Sequence, residues 1–117
     1  MRILHAMECT IGGTRRHLVD VARGQLERGH QLALAVACLR EPRFQADLED
    51  LARRGARVFE IPMLRSISPW SDARHLGAVR AALRAFEPEI VHTHSSKAGV
   101  LGRVASLLEQ RGTRIHT

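Results

Sequence analysis

The amino-acid sequence predicts an α/β fold: a Rossmann-like parallel sheet with helices packed on both faces. Short apolar runs of strand length alternate with stretches in which apolar residues recur every three or four positions. The passage from helix back to strand repeats one pattern, as Glu27-Arg28-Gly29-His30-Gln31-Leu32, Arg53-Arg54-Gly55-Ala56-Arg57-Val58 and Gln110-Arg111-Gly112-Thr113-Arg114-Ile115. The segments between these junctions are unrelated, which excludes a solenoid repeat and leaves successive βαβ units. Strict alternation then implies parallel strands joined by right-handed crossovers.

Each element follows in order. Arg2 to Met7 is a buried strand, bounded by the Gly-containing loop Glu8 to Thr14. From Arg15 the spacing turns helical through Leu18, Val19, Ala22 and Leu26, and Gly29 supplies a left-handed C-terminal cap. A second strand runs from Gln31 to Cys38. Phe44, Leu48 and Leu51 mark the second helix, and Ala56 to Ile61 the third strand. After a longer loop Ser71 is expected to cap a helix carrying Leu76, Val79, Leu83 and Phe86, which Glu87-Pro88 terminates. Glu89 to His94 is the fourth strand. A helix from about Lys97 carries Val100, Leu101, Val104, Leu107 and Leu108. The fifth strand begins at Thr113 and the sequence stops within it, so residues 1–117 are expected to be an incomplete domain of a longer protein.

Composition narrows the class. With 44% apolar and 26% charged residues the chain is that of a globular domain and not of a disordered segment. No apolar run approaches the ~20 residues of a membrane span, and the start lacks a signal-peptide core. Cys9 and Cys38 have no paired spacing, which suggests free thiols in a cytoplasmic protein. The net charge of +6 comes from 17 arginines and the single lysine, Lys97. These cations are scattered and aromatics make up only 3%, so the stacking surface of a nucleic-acid reader is missing. The charge suits phosphorylated ligands and permits peripheral contact with the inner face of a membrane.

In an open parallel sheet, ligands bind beyond the carboxyl ends of the strands, where the strand order reverses. The loops after strands one and four are therefore the candidates. In the first, Gly12 and Gly13 let backbone approach a ligand, and Arg15 and Arg16 oppose the dipole of the helix they open, which an anionic ligand would explain. The dinucleotide fingerprint is absent. In the second, His92 and His94 lie two apart and face one side of the strand, with His94 nearest its end. Ser95 or Ser96 can cap the next helix, and Lys97 in its first turn completes a site for an oxyanion or phosphate. A metal would need a third ligand, for which His5 and His116 are the nearby choices; no metal is expected. Glu41 and Glu49, eight apart, are read as coincidence because they enter an exposed-looking helix.

The opening Met1-Arg2-Ile3-Leu4-His5, the loop Ile11 to Leu18, the passage Leu26 to Val36 and the stretch Pro88 to Gly99 resemble family 4 glycosyltransferases, above all bacterial enzymes of polysaccharide biosynthesis. The resemblance covers essentially all 117 residues. It implies a GT-B enzyme with two nucleotide-fold halves across a cleft, of which this chain is the N-terminal, acceptor-side half. The C-terminal half, which in the family holds the nucleotide-sugar and a Glu-x7-Glu motif, is expected to lie outside residues 1–117. The family transfers sugar with retention, usually without metal, from a nucleotide-sugar co-substrate to a glycan or to a polyprenyl or other lipid-linked acceptor.

Matched by position, Gly12 and Gly13 fall on the loop approaching the donor diphosphate and acceptor, and His94 on the histidine lining the reaction centre. Arg15, Arg16, Ser95, Ser96 and Lys97 are added from their chemistry as donor or acceptor contacts. Without the second wall of the cleft this chain alone is expected to be inactive. Two alternatives stay open. One is a sugar-nucleotide epimerase of the same architecture, with Glu8 as its one acid/base candidate. The other is a non-catalytic module that binds a phosphate ligand or a partner chain.

Overall fold

A computed structural model describes residues 1–7, 13–37, 42–63, 68–94, 96–110 and 113–116. Five strands and four helices alternate: β1 (Arg2–Met7), α1 (Gly13–Glu27), β2 (Gln31–Val36), α2 (Pro42–Arg53), β3 (Arg57–Glu60), α3 (Pro69–Phe86), β4 (Ile90–Thr93), α4 (Ser96–Glu109) and β5 (Thr113–His116). All strand pairs are parallel, in the order β3-β2-β1-β4-β5. The order reverses between β1 and β4, because the chain builds outward from β1 to β3 and then returns to the other side of β1. Every helix therefore starts at the same carboxyl edge of the sheet from which its preceding strand emerges.

The period-two alternation of the central strands separates two cores. Leu4 and Ala6 of β1, Ala33 and Ala35 of β2 and Val91 of β4 face α3 and α4, where they meet Val79, Leu83, Phe86 and Leu101. Ile3 and Met7 of β1 with Leu32, Leu34 and Val36 of β2 face the other way and pack on Leu18, Val19 and Ala22 of α1 and Phe44, Leu48 and Leu51 of α2. Arg2 ties the amino edge together: its guanidinium donates to Phe86 O and to Gln31 Oε1 (2.9 Å) and stacks over the Phe86 ring.

The turn chemistry works as the sequence predicts at Gly29 and Gly55, whose φ values of 86° and 108° lie in the left-handed region that glycine adopts without strain. Glu87 takes the same conformation (φ 54°) and its N–H closes α3 onto Leu83 O at 2.8 Å, ahead of Pro88. The start of α3 differs from expectation. The cap is Ser68, and Ser71 lies inside the helix, because Pro69 fits the first helical position, where its missing N–H costs nothing. Asp72 Oδ2, in the first turn, accepts the Ser68 N–H at 3.3 Å.

The packing of α4 also departs from its sequence pattern. Val100, Val104, Leu107 and Leu108 remain exposed, while Ala98, Leu101 and Ala105 face the sheet. Apart from Leu101 that side carries small residues, because the helix lies very close to β4. A Cβ on Gly102 would stand 2.6 Å from Thr93 Cγ2. Glu109 then clamps α4 to α3 through Arg80 (2.8 Å) and Arg84 (3.2 Å).

Candidate functional site

The side chains with chemistry to offer gather where β1 and β4 run side by side, on the face covered by α1. His5 sits in the middle of β1, paired in register with His92 of β4, and His94 follows at the end of β4 with its N–H on Ala6 O at 3.0 Å. Odd positions of β1 and even positions of β4 share this face, so all three imidazoles point beneath α1. His92 and His94 stack, with ring centroids 4.1 Å apart, and His5 lies 5.2 and 5.0 Å from them. From α1, His17 approaches the edge of the His94 ring at 5.9 Å.

Hydrogen bonds thread the cluster. His5 Nε2 donates to Gln25 Oε1 of α1 (2.7 Å), and His5 Nδ1 shares a hydrogen bond of 2.8 Å with His94 Nε2. His5 is fully buried and His94 retains 6% of its surface. Burial holds the His5 pKa down to about 4 from 6.5. The bond to Gln25 pulls it upward, and the neighbouring His92 and His17 push it further down. At neutral pH His5 is thus an uncharged imidazole with one N–H.

The structure brings His5 to the His92–His94 pair, and the three offer nitrogen atoms within 4.8 Å of one another. That is the donor count of a metal site. The His5–His94 separation nevertheless speaks for a shared proton. Two nitrogens bound at ~2.05 Å to one tetrahedral metal stand about 3.3 Å apart, well beyond 2.8 Å. These residues as placed form a hydrogen-bonded pair, and ligation would have to break that bond.

The other predicted site residues distribute as follows. Gly12 and Ser95, with Glu8, Glu41 and both cysteines, lie outside the described residues. Gly13 and Arg15 are in the first turn of α1, and Ser96 and Lys97 in the first turn of α4, so both helix starts stand at the carboxyl edge beside the β1–β4 switch. Arg16 is exposed and lines a shallow groove between α1 and α2, with Arg23, Arg43 and Asp47. Gln25 was legible to no motif, being an ordinary polar residue within a helix. His5 carried a signal, as the lone ionisable side chain inside the apolar run Ile3 to Met7.

A doubly wound sheet with polar groups at its switch point defines a Rossmann-like α/β domain, a class of fold whose ligands bind at the carboxyl edge of the sheet. Solved structures share the arrangement. MurG of Acinetobacter baumannii superposes with a TM-score of 0.73 at 11% identity, covering 99% of this chain and 34% of that one. A glycosyltransferase of Rickettsia africae gives 0.74 at 16%, covering 98% and 28%. The UDP-GlcNAc 2-epimerase of Neisseria meningitidis gives 0.68 at 12%, covering 99% and 31%.

The chain belongs to the glycosyl transferase 4-like domain family, whose profile matches residues 12–116. It is also 39% identical over 71 residues to the UDP-Gal:alpha-D-GlcNAc-diphosphoundecaprenol alpha-1,3-galactosyltransferase of Escherichia coli. That match takes in 60% of this chain and 18% of the relative's length. The resemblance to family 4 transferases and the α/β fold class expected from the sequence both hold. Among the described residues, no helix is long and apolar enough to cross a membrane.

Proposed function

We propose that this domain is the acceptor-side wall of the cleft in a retaining glycosyltransferase, which moves a hexose from a nucleotide-sugar to a glycan or lipid-linked acceptor. The observation that carries the proposal is the family match over residues 12–116, with His94 at the end of β4, on the switch point where such a fold binds ligands. The name of the Escherichia coli relative, with a uridine-diphosphate sugar and a diphosphoundecaprenol acceptor, supports a nucleotide-sugar and a polyprenyl-linked substrate here. A structural neighbour is an epimerase, but the family match favours transfer over epimerisation.

In this reading His94 contacts the sugar at the reaction centre. The starts of α1 and α4, with Gly12, Gly13, Ser95, Ser96 and Lys97, meet the phosphates through backbone N–H groups and the Lys97 ammonium. Arg15 and Arg16 extend the basic approach to an anionic acceptor. The donor is gripped chiefly by a second domain, and no metal takes part. The protein works in the cytoplasm, in peripheral contact with the membrane that holds the acceptor.

The test is sugar transfer by the protein carrying both halves of the cleft. His94→Ala should lower kcat by about a hundredfold or more, the range for loss of a group acting in the transition state, while the circular dichroism spectrum stays unchanged. Unaltered transfer would remove His94 from the site. Measurable transfer by the 117-residue chain alone would overturn the need for a second wall.

A further inference from the structure

The order of hydrogen bonds at the β1–β4 switch has a consequence for His94 that the histidine alone does not fix. Gln25 Oε1 has no proton to give, so the proton in its 2.7 Å bond belongs to His5 Nε2. A neutral imidazole has one N–H, which leaves His5 Nδ1 a lone pair. The proton in the 2.8 Å bond between the rings then belongs to His94 Nε2. By the same count a neutral His94 keeps its lone pair on Nδ1. The deep burial of His5 and its low pKa keep it neutral at physiological pH, so the order is not scrambled by a second proton. The titratable groups around the pair are His92 of β4 and His17 of α1, both of which disfavour a charge on His5.

We propose that Gln25 and His5 are positioning residues that set the tautomer of His94, holding its proton on Nε2 and its lone pair on the buried Nδ1. What that tautomer does in sugar transfer rests on the reading of the site given above: it fixes which ring nitrogen of His94 is donor and which is acceptor, and so the polarity of the imidazole beside the sugar. A mere packing role for Gln25 has no preference for an acceptor over a donor. The relay has one, because replacing the acceptor by a donor reverses every bond in the series. A lysine at position 25 would donate to His5 Nε2, force the His5 proton onto Nδ1, and through it force the His94 proton onto Nδ1.

The experiment is long-range nitrogen–proton correlation of the histidine rings at pH 7 in the chain and in two variants, Gln25→Glu and Gln25→Lys. The relay predicts that His5 and His94 both carry their proton on Nε2 in the wild type and in Gln25→Glu, which keeps an acceptor. Both should carry it on Nδ1 in Gln25→Lys. A wild-type spectrum with the His5 or His94 proton on Nδ1 overturns the proposal, as does a folded Gln25→Lys protein with unchanged tautomers. Should the lysine variant not fold, the wild-type and Gln25→Glu spectra decide alone.

In the protein with both halves of the cleft, Gln25→Lys should lose on the order of tenfold in kcat/KM, as expected for one lost oriented hydrogen bond, and Gln25→Glu should retain activity. Reversed tautomers with unchanged transfer would uphold the relay and refute instead the role assigned to His94.

Discussion

Protonating His5 provides the sharpest test of the cluster, because a fully buried imidazole contributes to stability through the proton it refuses. In the unfolded chain His5 titrates near 6.5, and in the native state near 4. Between these values the unfolded state holds more protons, so native stability falls as pH falls. The contribution is intact above pH 6.5, is lost progressively down to about 4, and levels off below that. A displacement of about 2.5 units at about 1.36 kcal/mol per unit amounts to about 3 kcal/mol. That is a large share of the 5–15 kcal/mol that holds a typical domain together.

Urea unfolding followed by circular dichroism, at half-unit steps from pH 7.5 to 4, measures the loss. The quantity to compare is wild type minus His5→Gln, which cancels every contribution the two proteins share. The variant should be the less stable protein at pH 7.5, having lost the buried pair, and the gap should shrink by about 3 kcal/mol on reaching pH 4. A gap that stays constant, or widens on acidification, would show that His5 accepts a proton freely in the native state and would refute the account of its burial.

Packing of α4 on β4 yields a second prediction. Gly102→Ala gains about 1 kcal/mol of helix propensity but places a methyl 2.6 Å from Thr93 Cγ2, an overpacking cost of about 1–3 kcal/mol. The net effect should be a loss of about 1 kcal/mol in thermal or chemical unfolding. Adding Thr93→Ser removes the offending methyl and keeps a hydroxyl for Ile115 O, so the double variant should recover the loss; failure to recover would place the strain elsewhere. For the histidine triad, dialysis against zinc followed by elemental analysis should leave the chain without stoichiometric metal. One tightly held zinc per chain that His92→Ala abolishes would show that the His5–His94 bond yields to ligation.

Much of this fold was legible from neighbours in sequence. The helix–Arg–Gly–strand junctions announce the βαβ units because left-handed caps at Gly29 and Gly55 are local events, decided by one residue lacking a Cβ. The shared direction of His92 and His94 follows from the strand period alone, and the stacked rings agree with it. Local pattern misled where tertiary closeness decided. Of the large apolar residues of α4 only Leu101 reaches the core; Val100, Val104, Leu107 and Leu108 stay outside, and at the near approach of Gly102 to Thr93 not even a Cβ fits without a shift. The cap at Ser71 is displaced because Pro69 starts the helix earlier.

For the candidate site, the sequence by itself determined that polar residues would gather on the loops and strand ends after β1 and β4, and that His94 would stand at the end of its strand. Only the tertiary structure decided what surrounds His94. Its hydrogen-bond partner His5 is 89 residues away in the chain, and Gln25 is 20 residues from His5 on a different element. Strand order places β4 against β1 and not beside β3, register sets His5 opposite His92, and the right-handed crossover lays α1 over that face. None of these is encoded by spacing along the chain. They arise from the strand order and register that bury both faces of this sheet, which bring Gln25, His5 and His94 into line.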